Sequence, residues 1–299
     1  MKKVNWVLDA DICGFFDAIS REWMLEFIKH RVGDPRILRL IQKWLAAGVL
    51  ENGKWARSKS GTPQGATISP LLGNIYLHYV FDLWAHQWRQ RNAHGDVVIV
   101  RYADDFAVGF QYQKDAEQFL EDLRERFRKF DLELHSDKTR LIEFGRYAAR
   151  DRERRGLGKP ETFKFLGFVH ICSKSRAGWF LLKRHTDGKR MRAKLKALKS
   201  ALLRMRHVSI PVQGEWLQRV VRGYFNYHAV PGNIMALDRF RTELARHWCK
   251  ALRRRSQKSR LNWQRMARLV ERWLPHPRNL HPYPEERFDV RTRGRSPVR

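Results

Sequence analysis

The stretch Arg101-Tyr102-Ala103-Asp104-Asp105 limits what this chain can fold into more than any other. Val97 to Val100 is a β-branched run, and Phe106 to Phe110 is a second apolar run. Two short apolar runs around a tight polar break read as a β-hairpin. Its tip then carries two adjacent carboxylates. At about 4 Å, two like unit charges cost roughly 4 kcal/mol at an effective dielectric near 20. A hard divalent ion such as Mg²⁺ removes that cost, because it takes oxygen ligands and is held by one or two carboxylates plus substrate phosphates. An isolated Asp-Asp pair also reads as a solvated turn, so the upstream sequence has to separate the two readings.

Residues 4–11, Val-Asn-Trp-Val-Leu-Asp-Ala-Asp, form another short strand pattern. Successive strand side chains alternate faces, so Val7, Asp9 and Asp11 share one face. An acid at the end of a buried strand is expensive unless it is paired or metal-bound. A third carboxylate from a separate strand, beside the hairpin pair, is what a two-metal phosphoryl-transfer site requires. One ion activates an attacking 3′-hydroxyl, and both stabilise charge on the phosphoryl oxygens.

A chain of 299 residues has room for about two domains. Its hydrophobic fraction of 43% supports packed cores and argues against wholesale disorder. No stretch approaches 18 apolar residues and the charged N-terminus leads into no secretory segment, so a soluble cytoplasmic protein without a membrane partner is expected. Cys13, Cys172 and Cys249 show neither metal-ligand spacing nor a disulfide framework, and read as small buried hydrophobes.

The net charge of +29 is distributed unevenly. Residues 1–150 hold 23 Lys/Arg against 20 Asp/Glu, whereas residues 151–299 hold 37 against 11. Such an excess in one half points to a polyanion, and nucleic acid is the better partner. The near-neutral half has the chemistry; the basic half has the grip. Arg253, Arg254, Arg255, Lys258 and Arg260 form its densest run and are candidate RNA contacts.

Along the chain, one helix is expected after Phe16 through Trp23, Phe27 and Ile28, and a second around Ile37 to Leu45. Lys59 to Gly65 is a glycine-containing turn; Ser69-Pro70 then opens a helix with Ile75, Tyr79, Val80, Leu83 and Trp84 on its apolar side. Ala116, Leu120, Leu123, Phe127 and Phe130 keep helical spacing and cover the sheet. Leu132 to Leu134 and Leu141 to Phe144 read as short strands, residues 145–160 as a charged loop, and Phe163 to Ile171 as a strand pair. From about Lys189 the pattern is helical. The stripes are Leu195, Leu198, Leu202 and Met205; then Trp216 to Phe225; then Leu237, Phe240, Leu244, Trp248 and Leu252. Such helices make a small bundle, and a further helix carries Trp263, Met266, Val270 and Trp273.

Five blocks occur in order: Asp11-Ile-Cys-Gly-Phe-Phe16-Asp17, Gly61-Thr-Pro-Gln64-Gly65, Tyr102-Ala-Asp104-Asp105, Ser136-Asp-Lys138-Thr139 and Phe163-Lys-Phe-Leu-Gly167-Phe168. Together they resemble the palm blocks of reverse transcriptases, most closely those of group II intron-encoded reverse transcriptase/maturases. The resemblance implies an α+β fold: an antiparallel palm sheet with covering helices over residues 1–180, an all-α thumb or maturase domain over 181–275, and a basic Pro-rich tail over 276–299. It implies an RNA-directed DNA polymerase with two Mg²⁺ ions on Asp11, Asp104 and Asp105. Lys138 would lie near the triphosphate, and Phe16 and Gln64 would contact the incoming deoxynucleoside triphosphate. Phe165, Leu166 and Gly167 would form the primer grip. Taken alone, Phe16 reads as a core residue and Lys138 as a surface residue. The implied partners are intron RNA and an RNA template with its DNA primer; oligomeric state is left open.

Two departures bear on function. The family carries basic finger blocks ahead of the first palm strand, which here starts four residues in, so an N-terminally truncated palm and thumb is expected. The tail has no His/Asn/Cys array of a homing endonuclease. The alternative to a polymerase is an RNA-binding maturase fragment that aids intron folding without polymerising. The two differ in whether the carboxylates are needed.

Overall fold

A computed structural model describes residues 3–46, 49–51, 54–56, 61, 67–175, 177–256 and 261–283. The chain divides into two compact units, Met1–Leu166 with Arg176–Phe180, and Gly167–Ser175 with Leu181–Arg299. Each has its own apolar core, and among the described residues no helix is long and apolar enough to cross a membrane.

In chain order the first unit runs β1 (Trp6–Ala10), α1 (Phe15–Ala18), α2 (Arg21–Lys29), α3 (Pro35–Ala46), β2 (Val49–Glu51) and β3 (Lys54–Ala56). Then come α4 (Ser69–Leu77), a π-helical turn (His78–Asp82), α5 (Leu83–Arg91), β4 (Val97–Tyr102), β5 (Asp105–Phe110) and α6 (Gln113–Arg128). It closes with β6 (Arg140–Glu143), α7 (Ala148–Arg154) and β7 (Phe163–Phe165). Four strands make one sheet in the order β4-β5-β1-β6, and each pairing described between them is antiparallel. The expected α+β palm is therefore present.

Alternation sorts the sheet into two faces. Leu8, Ala10, Phe106 and Val108 are buried under the helices. There Phe106 meets Phe81 at 4.7 Å and Phe127 at 6.2 Å, and Phe110 meets Phe119 at 5.3 Å between ring centroids. Fully burying one such ring contributes roughly 1.5–3 kcal/mol, so this aromatic layer fixes the strand register. A slip of one residue in β5 would turn Phe106 and Phe110 away from the helices. The register pairs Asp9 with Ala107 and with Arg140 on its two sides. The open face consequently collects Asp9, Asp11, Asp105 and Arg140.

The structure departs from the sequence pattern at several places, each with a local cause. The helix expected after Phe16 is broken at Ile19 and Ser20, whose ψ values of 119° and 123° are extended. The Ser69 helix contains the π turn, which changes the buried face: Val80 and Phe81 are fully buried while Leu83 is 49% exposed. Arg126 satisfies the carbonyls of that turn, donating from Nε to Val80 O and from Nη2 to Tyr79 O, both at 3.0 Å. Leu132 to Leu134 is no strand; Leu134 contributes a single bridge to Ile12. The charged loop expected over 145–160 contains α7, which buries only Ala148 and so shows no apolar period. Cys249 is buried, but Cys13 and Cys172 are only half-buried.

The second unit holds β8 (Phe168–Lys174), most of β9 (Phe180–Thr186), α8 (Gly188–Arg204), α9 (Ile210–His228), α10 (Ile234–Arg253) and α11 (Trp263–Trp273). Strand β9 had no sequence counterpart; its intermittent burial hides the alternation. Leu195, Leu198, Leu202, Leu217, Val221 and Leu237 meet in the core as their spacing requires. Trp248 is fully buried, and its Nε1 donates to Gln213 Oε1 at 2.8 Å. Gln213 Nε2 in turn donates to Met205 O at 2.6 Å and Val208 O at 3.1 Å, closing the connection between α8 and α9.

His170 and His228 sit in this unit with their imidazoles held neutral. Burial, then Arg184, pushes His170 down to about 4; burial, then Arg190, does the same to His228. In the unfolded chain both titrate near 6.5. Unfolding therefore takes up protons as pH falls from about 6.5 towards 4, and stability present above that window is lost within it. His228 Nδ1 is buried with no hydrogen-bond partner among the described residues. His228→Phe is expected to keep the fold and to flatten the decline of melting temperature between pH 6.5 and 4. An unchanged slope would show that His228 does not contribute to acid sensitivity.

Candidate active site

The candidate site begins at the end of β1. Asp11 follows the last described β1–β5 pair, Ala10 with Phe106, so continued register sets it opposite Asp105. Its backbone is fixed from a third segment. His135 N donates to Asp11 O at 2.8 Å, and Cys13 N donates to Glu133 O at 2.8 Å. Lys138 N then returns to His135 O at 3.2 Å. This turn delivers Lys138, whose Nζ lies 2.6 Å from Asp11 Oδ2. The carboxylate raises the lysine pKa above its ordinary value, so the ammonium stays charged across the physiological range.

Asp9, Asp11, Asp105, Lys138, Arg140 and Phe165 line one open cleft of about 570 Å³. Burial raises the Asp9 pKa, Arg140 at 3.3 Å opposes the rise, and the Asp105 and Asp11 charges add to it. Asp9 thus feels both neighbouring acids. Among the described residues no three His, Cys, Asp or Glu side chains are gathered closely enough to hold a metal ion. The donor chemistry nevertheless fits a hard divalent cation, because every acidic donor on this face is a carboxylate oxygen.

Asp104 lies in the turn between β4 and β5, half-buried and outside the cleft lining. The turn has only two residues, Ala103 and Asp104, with Tyr102 paired to Asp105. Ala103 adopts φ +54°, a left-handed conformation uncommon outside glycine, asparagine and aspartate. Phe16 is half-buried against the core, its ring 5.2 Å from that of Phe15. Both rings close on Gly73 of α4, where an added Cβ would stand 2.9 Å from Phe15 and 3.2 Å from Phe16. Gln64, Lys258 and Arg260 lie outside the described residues. Phe165 ends β7 in the cleft, and Leu166 and Gly167 follow with φ +48° and +78°. Positive φ at two successive residues is the signature of a type I′ turn.

Asp9, Arg140 and Lys164 also line the cleft and were not singled out by sequence. For Asp9 the signal was at hand, since period-two alternation already places it on the Asp11 face. Among the basic candidates of the second unit, Arg255 donates to the carbonyls of Arg206 and Val208. Arg253 Nε donates to Leu261 O at 2.9 Å. Arg254 is exposed. Arg254→Ala is therefore expected to make the salt dependence of RNA binding shallower by about 0.7 in log–log slope, the value of one single-strand phosphate contact. Arg255→Ala should instead lower the melting temperature. Equal slope changes from both would show that Arg255 works mainly at phosphate.

Antiparallel strands tipped with acids on an open face and backed by helices define the palm class of nucleic-acid polymerases. Residues 1–170 match the family model described as "Reverse transcriptase (RNA-dependent DNA polymerase)". The chain belongs to that family. It is 45% identical over 74 residues to the group II intron-encoded protein LtrA of Lactococcus lactis subsp. cremoris, across 25% of this chain and 12% of that protein. It is 28% identical to the Escherichia coli protein YkfC, across 58% of this chain and 49% of YkfC. The chain thus spans half or less of the length of these relatives. The apo telomerase of Candida tropicalis overlays 90% of this chain on 45% of its own with a TM-score of 0.46 at 12% identity. A likeness that loose adds nothing to the assignment.

Proposed function

We propose that this chain is an RNA-directed DNA polymerase of the group II intron type, acting in the cytoplasm on an RNA template and DNA primer and assisting the splicing of its intron RNA. The observation that carries the reading is the open cleft lined together by Asp9, Asp11, Asp105, Lys138 and Arg140. The intron-encoded relatives support the group II assignment.

In this reading Asp11, Asp104 and Asp105 would hold two Mg²⁺ ions, which would supply Lewis-acid activation of the primer 3′-hydroxyl and balance phosphoryl charge. The chain's own groups do the rest. Lys138 keeps a proton at Nζ beside Asp11, where a leaving pyrophosphate needs one. Phe16 and Gln64 bound the nucleotide, and the backbone of Phe165, Leu166 and Gly167 seats the primer end. The basic surplus of residues 151–299 binds RNA through its phosphates.

The test is extension of a DNA primer on an RNA template by the purified chain with and without Mg²⁺. Mg²⁺-dependent incorporation is expected. The basic surplus favours a second reading, an RNA-binding maturase that does not polymerise. Tight intron RNA binding and assisted splicing without any extension would select it and reject the first.

A further inference from the structure

Arg101 is the polar residue of an otherwise apolar strand, and its side chain is turned to the helical side of the sheet, 14% exposed. Four of the five N–H donors of its guanidinium have partners. Nε donates to Asp82 Oδ1 at 2.7 Å and Nη2 to Asp82 Oδ2 at 2.5 Å, a two-point contact with one carboxylate. Nη1 donates to Asn74 Oδ1 at 2.9 Å and to Ala103 O at 2.8 Å. His78 Nδ1 also lies 3.8 Å from Asp82 Oδ2.

We propose that Arg101 is a positioning residue: through Asp82 and Asn74 it ties the carbonyl of Ala103 to the helix behind the sheet, and so holds the Ala103-Asp104 turn where the carboxylates of Asp104 and the adjoining Asp105 can act. Three observations converge on this. Ala103 sits at φ +54°, which a lone alanine would leave for the ordinary right-handed or extended regions. The anchor Asp82 lies at the end of the π turn, and such turns recur at functional sites. Arginine's rigid fork can grip a carboxylate at two points and still reach a carbonyl, which the point charge of lysine cannot do. The strand therefore gives up an apolar residue at position 101 for a clamp on the next turn.

The inference rests on the polymerase reading for its consequence but not for its geometry, and its test separates the two. Arg101→Gln should lower kcat of primer extension by about 10²-fold, the scale of a misplacement near 1 Å. The KM for deoxynucleotide and the RNA affinity should stay within about threefold, because the binding groups are untouched. Asp82→Asn should act in the same direction, and the double variant should be little worse than the more damaged single one. Adding Ala103→Gly to Arg101→Gln should restore part of the rate, since glycine takes a positive φ without help. Independently of activity, native-state hydrogen exchange at the Asp104 and Asp105 amides should quicken in Arg101→Gln. Unchanged kcat, or a loss that glycine does not relieve, overturns the proposal. A wild-type chain that extends no primer overturns the polymerase reading instead; unchanged exchange at the turn then overturns the clamp, and quickened exchange upholds it.

Discussion

Asp11→Ala is expected to reduce nucleotide incorporation by about 10³-fold or more, the scale of losing a principal electrostatic stabiliser of the reacting charge. RNA affinity should remain within about threefold, because the phosphate contacts come from basic residues elsewhere. The two readouts must separate, since the acid stands on the open sheet face beside Asp105 and Lys138. Asp104→Ala and Asp105→Ala should behave alike. The melting temperature should hardly fall, because the lost Lys138 contact is exposed and such pairs are worth little. An Asp11→Ala protein that incorporates at the wild-type rate removes this residue from the chemistry. One that loses RNA affinity in proportion shows a general collapse of the palm.

The second large effect concerns Gly61. Its φ is +79°, and an added Cβ would stand 2.5 Å from Phe16 O, 2.7 Å from Asp17 Cα and 2.8 Å from Asp17 O. These are backbone atoms, so no side-chain rotation makes room. Gly61 N also donates to Ile19 O at 2.9 Å, and Arg21 Nε donates to Gly61 O at 3.1 Å, which pins the close approach from both sides. Gly61→Ala should therefore destabilise by about 3–5 kcal/mol, among the largest single-residue effects. Any folded fraction should show altered discrimination between ribo- and deoxyribonucleotides, because the displaced segment carries Phe16. Denaturant unfolding measures the first effect and competitive incorporation the second. A loss below about 1 kcal/mol would mean that the residue swings clear of α1 at little cost.

The sheet, and the placing of Asp11 and Asp105 at its cleft, were legible because their signals are local. Val97 to Phe110 shows two apolar runs around a break, and Asp11 follows a strict alternation, so period and turn chemistry suffice. The bundle was legible for the same reason, with Leu195, Leu198 and Leu202 buried as their spacing requires. The supporting contacts were not legible, because each joins residues distant in sequence. Arg101 meets Asp82 nineteen positions back on another kind of element. Lys138 reaches Asp11 across 127 positions, so proximity to a triphosphate could be guessed but not its ion pair with the first acid. Arg255 looked like one more cation in a basic run. Its place under the carbonyls of Arg206 and Val208 follows only from how α10 ends beside the α8–α9 connection. Strand β9 and helix α7 were missed because neither buries a regular face.

The π turn sets the rotational phase of everything after it. Successive residues of an α-helix are about 100° apart, so one residue held in a wide turn offsets the following helix by about that angle. Winding these same residues as an unbroken α-helix would close the ladder and leave Arg126 without the carbonyls it now serves. Local helix stability would rise. Yet the carboxylate of residue 82 would swing about a quarter-turn away from Arg101, and Leu83, now half in solvent, would be carried towards the sheet. At this point the helix is wound for aim rather than for strength, and a change that heals it would leave the acidic turn without its clamp.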